Sequence, residues 1–107
     1  MASKGRLKRI VIHPGEILRE DFMEELGLSA TALAKALGVS PPTVNELVRG
    51  RRGITADMAL RLQQYFGTSA EMWMGLQLQY ELDVAKATRL PAIRKAVKAR
   101  PAMPKAA

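Results

Sequence analysis

Apolar side chains recur at helical spacing in five stretches of this chain, and most of those stretches end in a glycine. Ile17, Leu18, Phe22 and Leu26 form one stripe of a helix predicted over about 14–26, with Pro14 near its first position and acids early. Leu33, Ala34 and Leu37 share a face of a second helix over 30–37. Val44, Leu47 and Val48 do the same over 41–49, and Ala59, Leu62 and Phe66, with Met58 beside them, over 56–66. The fifth helix, about 70–87, carries two stripes. Trp73, Leu76, Tyr80 and Val84 form one, and Met74, Leu78, Leu82 and Ala85 the other. One stripe can close a core, and the other then needs a second surface. A two-fold copy of the chain is the simplest candidate, with the C-terminal segment folding back as the alternative.

The joints between these stretches share a grammar. Gly27-Leu28-Ser29, Gly38-Val39-Ser40 and Gly67-Thr68-Ser69 each read as a helix stop, a spacer and an N-cap, and Gly50 to Thr55 is a longer version. The fold class is therefore all-α. Ile10-Val11-Ile12 reads as a short extended segment that packs on the domain or offers an edge to a partner. Leu90, Ile93 and Val97 can add a further helical turn or two before a loose end at Pro101 and Pro104. Gly75, inside the fifth helix, costs it roughly 1 kcal/mol relative to alanine and suggests a close backbone approach.

The stretch 29–52 organises the rest. Two short helices are separated by a glycine turn, with Ser40 as the expected cap of the second and Pro41 and Pro42 in its first turn. Gly50 ends it, and Arg51 and Arg52 follow at once. This is the spacing of a helix-turn-helix, whose second helix enters the DNA major groove. A plain helical hairpin with solvated arginines has the same outline.

Charge sharpens this picture. The 107 residues carry a net charge of +7, but residues 10–85 hold six basic and ten acidic side chains, so the excess lies in the two ends. Against that acidic middle, the cluster of Arg49, Arg51 and Arg52 is the better sign of nucleic acid than the overall charge. The outer face of the first helix, with Glu20, Asp21, Glu24 and Glu25, would be repelled by phosphate and should look away from DNA.

The length suits one domain, divided as a basic N-terminal extension (1–12), a helical domain (13–88) and a basic C-terminal tail (89–107). With no cysteine and one histidine, neither a thiolate metal site nor a His-based catalytic group has the residues it needs. His13 reads as a capping or turn residue. No nucleophile elbow, phosphate-binding loop or zinc spacing is visible, and no apolar run near the N-terminus is long enough to be a signal or membrane segment. The expectation is a cytoplasmic protein that is not an enzyme and holds no metal, cofactor or small-molecule ligand.

Taken together, HPGEIL at 13–18, the helix-turn-helix at 29–49, GRRGIT at 50–55 and MALRLQQYFGTSAEMWMGLQLQYEL at 58–82 resemble the HigA-type antitoxins, within the XRE-like group of phage-repressor-type helix-turn-helix proteins. The resemblance implies a five-helix phage-repressor-like domain with a longer C-terminal helix and a basic tail. It implies dimerisation through the C-terminal helices (here Met74, Leu78, Leu82 and Ala85), repression of the chain's own operon, and pairing with a HigB-type mRNA-cleaving toxin. Carried onto this sequence, the base-reading candidates are Ser40, Pro42, Thr43, Asn45, Glu46 and Arg49. Arg49 can fork onto guanine, Asn45 can read adenine, and Thr43 can touch a thymine methyl or a phosphate. Glu46 either rejects phosphate or accepts from cytosine. Ser29, Thr31, Arg51 and Arg52 are the candidate phosphate contacts. Pro41 and Pro42 stand where many phage-type repressors place polar base-readers, which shifts weight toward shape readout. A stand-alone repressor without a toxin, and a protein-interaction module with a vestigial DNA face, are the other readings. The acidic face of the first helix and the Ile10–Ile12 segment are the two candidate toxin contacts.

Overall fold

The structure, a computed structural model, describes residues 11–101, and readings placed on 1–10 and 102–107 lie outside it. Among the described residues there are helices and no strand. The first helix, α1, runs as Pro14–Ile17, a π-wound Leu18–Met23 and Glu24–Leu26. Then come α2 (Ala30–Leu37), α3 (Pro41–Val48), α4 (Ala56–Phe66), α5 (Ala70–Thr88) and a short α6 (Leu90–Ala96). Five match the expected helices, and α6 is the extra turn or two anticipated around Leu90 and Ile93. Val11 and Ile12 are half-buried in irregular chain.

The glycine-stop grammar holds. Gly27, Gly38, Gly50 and Gly67 all take positive φ, between 65° and 81°. Ser29, Thr55 and Ser69 each accept a hydrogen bond from the backbone N–H three residues on. Ser40 departs from it. Pro41 and Pro42 have no N–H to offer, and the Thr43 N–H already donates to the Ser40 carbonyl at 3.0 Å. The Ser40 hydroxyl therefore bonds the Thr43 hydroxyl instead, at 2.8 Å.

The buried stripe of α1 also differs from the expectation. Leu18 and Met23 are buried and Ile17 and Phe22 pack beside them, but Leu26 is 61% exposed. The cause is the π segment, in which the Glu24 N–H reaches back five residues to the Arg19 carbonyl. The wider winding puts Leu18 and Met23 on one face and rotates Leu26 away. On the acidic face Glu24 and Glu25 are exposed, whereas Glu20 and Asp21 are half-buried. Arg19 donates to Glu20 at 2.7 Å.

The core joins Leu18, Leu33, Ala34, Val44, Leu47, Ala59, Leu62 and Trp73, all fully buried. Phe22 sits between Phe66 and Trp73, with ring centroids 5.0 and 5.1 Å away. The Trp73 indole N–H donates to the Thr68 hydroxyl at 2.8 Å, so the largest core side chain leaves no polar atom unsatisfied. Arg61 ties α4 to the end of α2 by donating to the Leu37 and Gly38 carbonyls at 2.8 and 3.3 Å.

On α5 the first stripe faces the core, with Trp73 buried and Leu76, Tyr80 and Val84 half-buried. The second stripe lies open: Met74, Leu78 and Leu82 are exposed and Ala85 half-buried. The helix α6 does not cover it. Its Leu90 and Ile93 line an apolar groove with Leu82 and Ala85 and so extend the stripe at its C-terminal end. A β-carbon on Gly75 would meet nothing within 4 Å among the described residues, so the close approach its sequence position suggested is not made there.

Candidate nucleic-acid interface

The second helix of the helix-turn-helix is held from below. Val44 and Leu47 are fully buried and Val48 half-buried, which turns the opposite face of α3 outward. Pro42, Asn45, Glu46 and Arg49 then line one shallow cleft, and Arg51, from the loop after Gly50, joins them. Ser40 and Thr43 sit at the start of the same helix, linked by their hydroxyls. Ser29 and Thr31 are exposed at the start of α2. The Ser29 oxygen accepts the Ala32 N–H at 3.0 Å, which leaves its own hydrogen to donate.

The charges of this face are organised in a way that sequence spacing does not reveal. Arg52 donates through both Nε and Nη2 to one carboxylate oxygen of Glu46, at 3.1 and 2.8 Å. Six residues of separation become a direct pair because Gly50 reverses the chain. Among the described residues Arg49 and Arg51 form no ion pair, so their guanidinium groups remain available to an anion.

The loop 50–54 rests on residues from both ends of the domain. His13 accepts the Gly15 N–H through Nδ1 at 2.9 Å, which is the capping role expected of it. Its ring also stacks edge-on against Tyr80 at 4.7 Å, lies beneath Gly50, and hydrogen-bonds the Arg52 main chain. Burial pushes the imidazole below its ordinary range, and the Arg52 hydrogen bond and the nearby Glu16 carboxylate only partly oppose that. Gly15 has a second reason to be glycine: a β-carbon there would overlap the Leu47 carbonyl oxygen. HPGE is thus the seat on which the end of the recognition helix sits. At the far end of the loop, Gln77 of α5 accepts the Ile54 N–H at 2.7 Å. Sequence reading passed over Gln77 because a glutamine between two apolar stripes looks like a surface residue. The nearby Gly53, which leaves room for it, was the available signal. No described cluster of His, Cys, Asp or Glu is arranged to hold a metal.

Comparison with known proteins agrees with this fold. The helix-turn-helix family model matches residues 20–73. Virulence-associated protein I of Dichelobacter nodosus is 56% identical over 82 residues, 77% of this chain and 76% of that protein. Antitoxin HigA-1 of Vibrio cholerae is 35% identical over 77 residues, 72% of each chain. A solved structure of the Pseudomonas aeruginosa antitoxin HigA with the higBA promoter superposes with a TM-score of 0.81 at 52% identity, covering 86% of this chain and 98% of that one. The chain belongs to the XRE-like helix-turn-helix family and, within it, to the HigA-type antitoxins.

Proposed function

We propose that this chain is an antitoxin that neutralises a HigB-type ribonuclease toxin and, as a homodimer, binds operator DNA to repress its own operon. It acts in the cytoplasm by binding, without catalysis. The observation that carries the reading is the exposed cleft lined by Asn45, Glu46 and Arg49 at the second helix and by Arg51 of the loop after it, in a fold similar to an antitoxin solved with its promoter.

In this reading the helix α3 enters the major groove. Arg49 reads guanine, Asn45 reads adenine, and Ser40, Pro42 and Thr43 touch base edges or the thymine methyl. Ser29, Thr31, Arg51 and Arg52 grip phosphates and fix the register. The Glu46–Arg52 pair holds the carboxylate away from phosphate, leaving its second oxygen for a cytosine amine. The dimer forms through the open stripe of Met74, Leu78, Leu82 and Ala85. Gly75 beside it lets two helix backbones approach, and two linked recognition helices then read two half-sites. The toxin, a basic protein, meets the acidic surface of α1, where Glu24 and Glu25 are exposed.

The test is growth on induction of the small open reading frame beside this gene, with and without the chain. Arrest relieved by the chain is expected. A neighbour that causes no arrest, or arrest the chain does not relieve, overturns the antitoxin reading in favour of a stand-alone repressor.

A further inference from the structure

We propose that Gln77 is the positioning residue of the DNA interface, fixing the arginine-bearing loop to the same helix that carries the open apolar stripe. The inference rests on the DNA-binding reading above.

The loop 50–54 contains no regular structure of its own, so its course depends on what its backbone bonds. Ile54 is buried, and its N–H would be orphaned in the interior without the Gln77 oxygen 2.7 Å away. The amide cannot flip without loss, because its Nε2 donates to Glu81 at 2.8 Å, one turn along α5. Gly53 lets the two elements touch: a β-carbon there would lie 2.7 Å from the Gln77 nitrogen and 2.9 Å from its oxygen. Gln77 is itself buried and stands one turn beyond Trp73, the most deeply anchored residue of α5. Its neighbour Leu78 belongs to the exposed stripe. A single helix therefore carries the attachment of Arg51 and Arg52 on one side and the stripe on the other. The near end of the loop is held by the Arg51 N–H on the Glu46 carbonyl at 2.9 Å and the far end by Gln77, so where the arginines fall on the phosphate backbone depends on Gln77.

A side chain that merely stabilised the domain would alter specific and non-specific DNA binding together, or neither. A positioning residue separates them, since the charge is unchanged and only its placement is lost. The experiment compares wild type, Gln77→Leu and Gly53→Ala for binding to a duplex of the chain's own promoter and to a scrambled duplex. Trp73 fluorescence and exchange of the Ile54 amide are followed on the same samples. Gly53 has an ordinary φ, so its alanine variant displaces only the end of a flexible side chain and keeps the fold even if Gln77→Leu does not. The expected result is a promoter affinity about tenfold weaker, with scrambled-duplex affinity within about twofold of wild type. The Ile54 amide should lose protection while Trp73 keeps its native emission. An unchanged ratio of promoter to scrambled binding in Gly53→Ala, with the Ile54 amide exposed, overturns the assignment. A wild-type chain with no preference for its promoter overturns the DNA-binding reading and this inference with it, and that outcome is read from the wild-type arm alone.

Discussion

Gly15 and Leu47 are packed backbone against backbone: a β-carbon on Gly15 would overlap the Leu47 carbonyl oxygen and stand 2.7 Å from its carbon. The first turn of α1 is thereby pressed onto the last turn of the recognition helix, with His13 and Gly50 stacked just outside the contact. The close approach of α1 to the end of α3 depends on this missing methyl.

Replacing Gly15 by alanine should accordingly destabilise the domain more than a helix-propensity argument allows. Propensity alone favours alanine by about 1 kcal/mol, whereas overpacking a well-packed core costs about 1–3 kcal/mol, and a clash with backbone lies at the upper end. The sign is decided by the overlap. Urea unfolding followed by circular dichroism should show a lower midpoint, and a higher one would refute the packing argument.

His13 predicts a pH dependence. Its pKa in the folded chain lies below the ordinary 6.5, so the unfolded chain binds the proton more readily. Stability then rises with pH wherever the unfolded state holds more protons. The contribution is complete above 6.5 and is lost as pH falls from 6.5 through the folded value. Protonation also takes the Nδ1 lone pair that caps Gly15. His13→Asn, which keeps a capping oxygen and does not titrate, should be flatter over that window in melts between neutral and mildly acidic buffer.

The Glu46–Arg52 pair makes the two exit arginines unequal. Removing Arg51 should weaken operator binding and lower the salt slope by about 1, the amount for one phosphate contact. Arg52→Ala should cost more, because it also leaves the Glu46 carboxylate unpaired beside the phosphates. Glu46→Ala with Arg52→Ala should then bind better than Arg52→Ala alone. Equal losses for the two single arginine variants, and no recovery in the double, would show that the pair does not persist on DNA.

The open stripe on α5 makes a prediction about assembly. Leu78 is 59% exposed, so Leu78→Asp should leave monomer stability nearly unchanged. Sedimentation should show a shift from dimer to monomer, and operator affinity should fall by at least about tenfold as the second half-site is lost. A variant that sediments as wild type would overturn the proposed dimer contact.

How much of this could be read in advance varies from element to element. The helices α2, α4 and α5 were legible to within a residue or two at their ends, because a glycine stop, a serine or threonine cap and a helical stripe act over three or four positions. The outward placement of Pro42, Glu46 and Arg49, with Asn45 on the flank, followed from the inward placement of Val44 and Leu47. The π segment of α1 was not legible, and it moved Leu26 out and Met23 in. Its signal is not a spacing but the demand of the finished core.

The helices, their joints, the helix-turn-helix and the positions that must face outward are written in the sequence, since each depends on side chains close together along the chain. The Glu46–Arg52 pair, the His13 and Gln77 supports and the backbone contact of Gly15 with Leu47 arise only when the helices pack. The Gln77–Ile54 bond joins residues 23 positions apart, and in the Gly15 contact the missing side chain matters only once another helix arrives. Contacts of that kind are properties of packing, and they are what turns two exposed arginines into a placed pair.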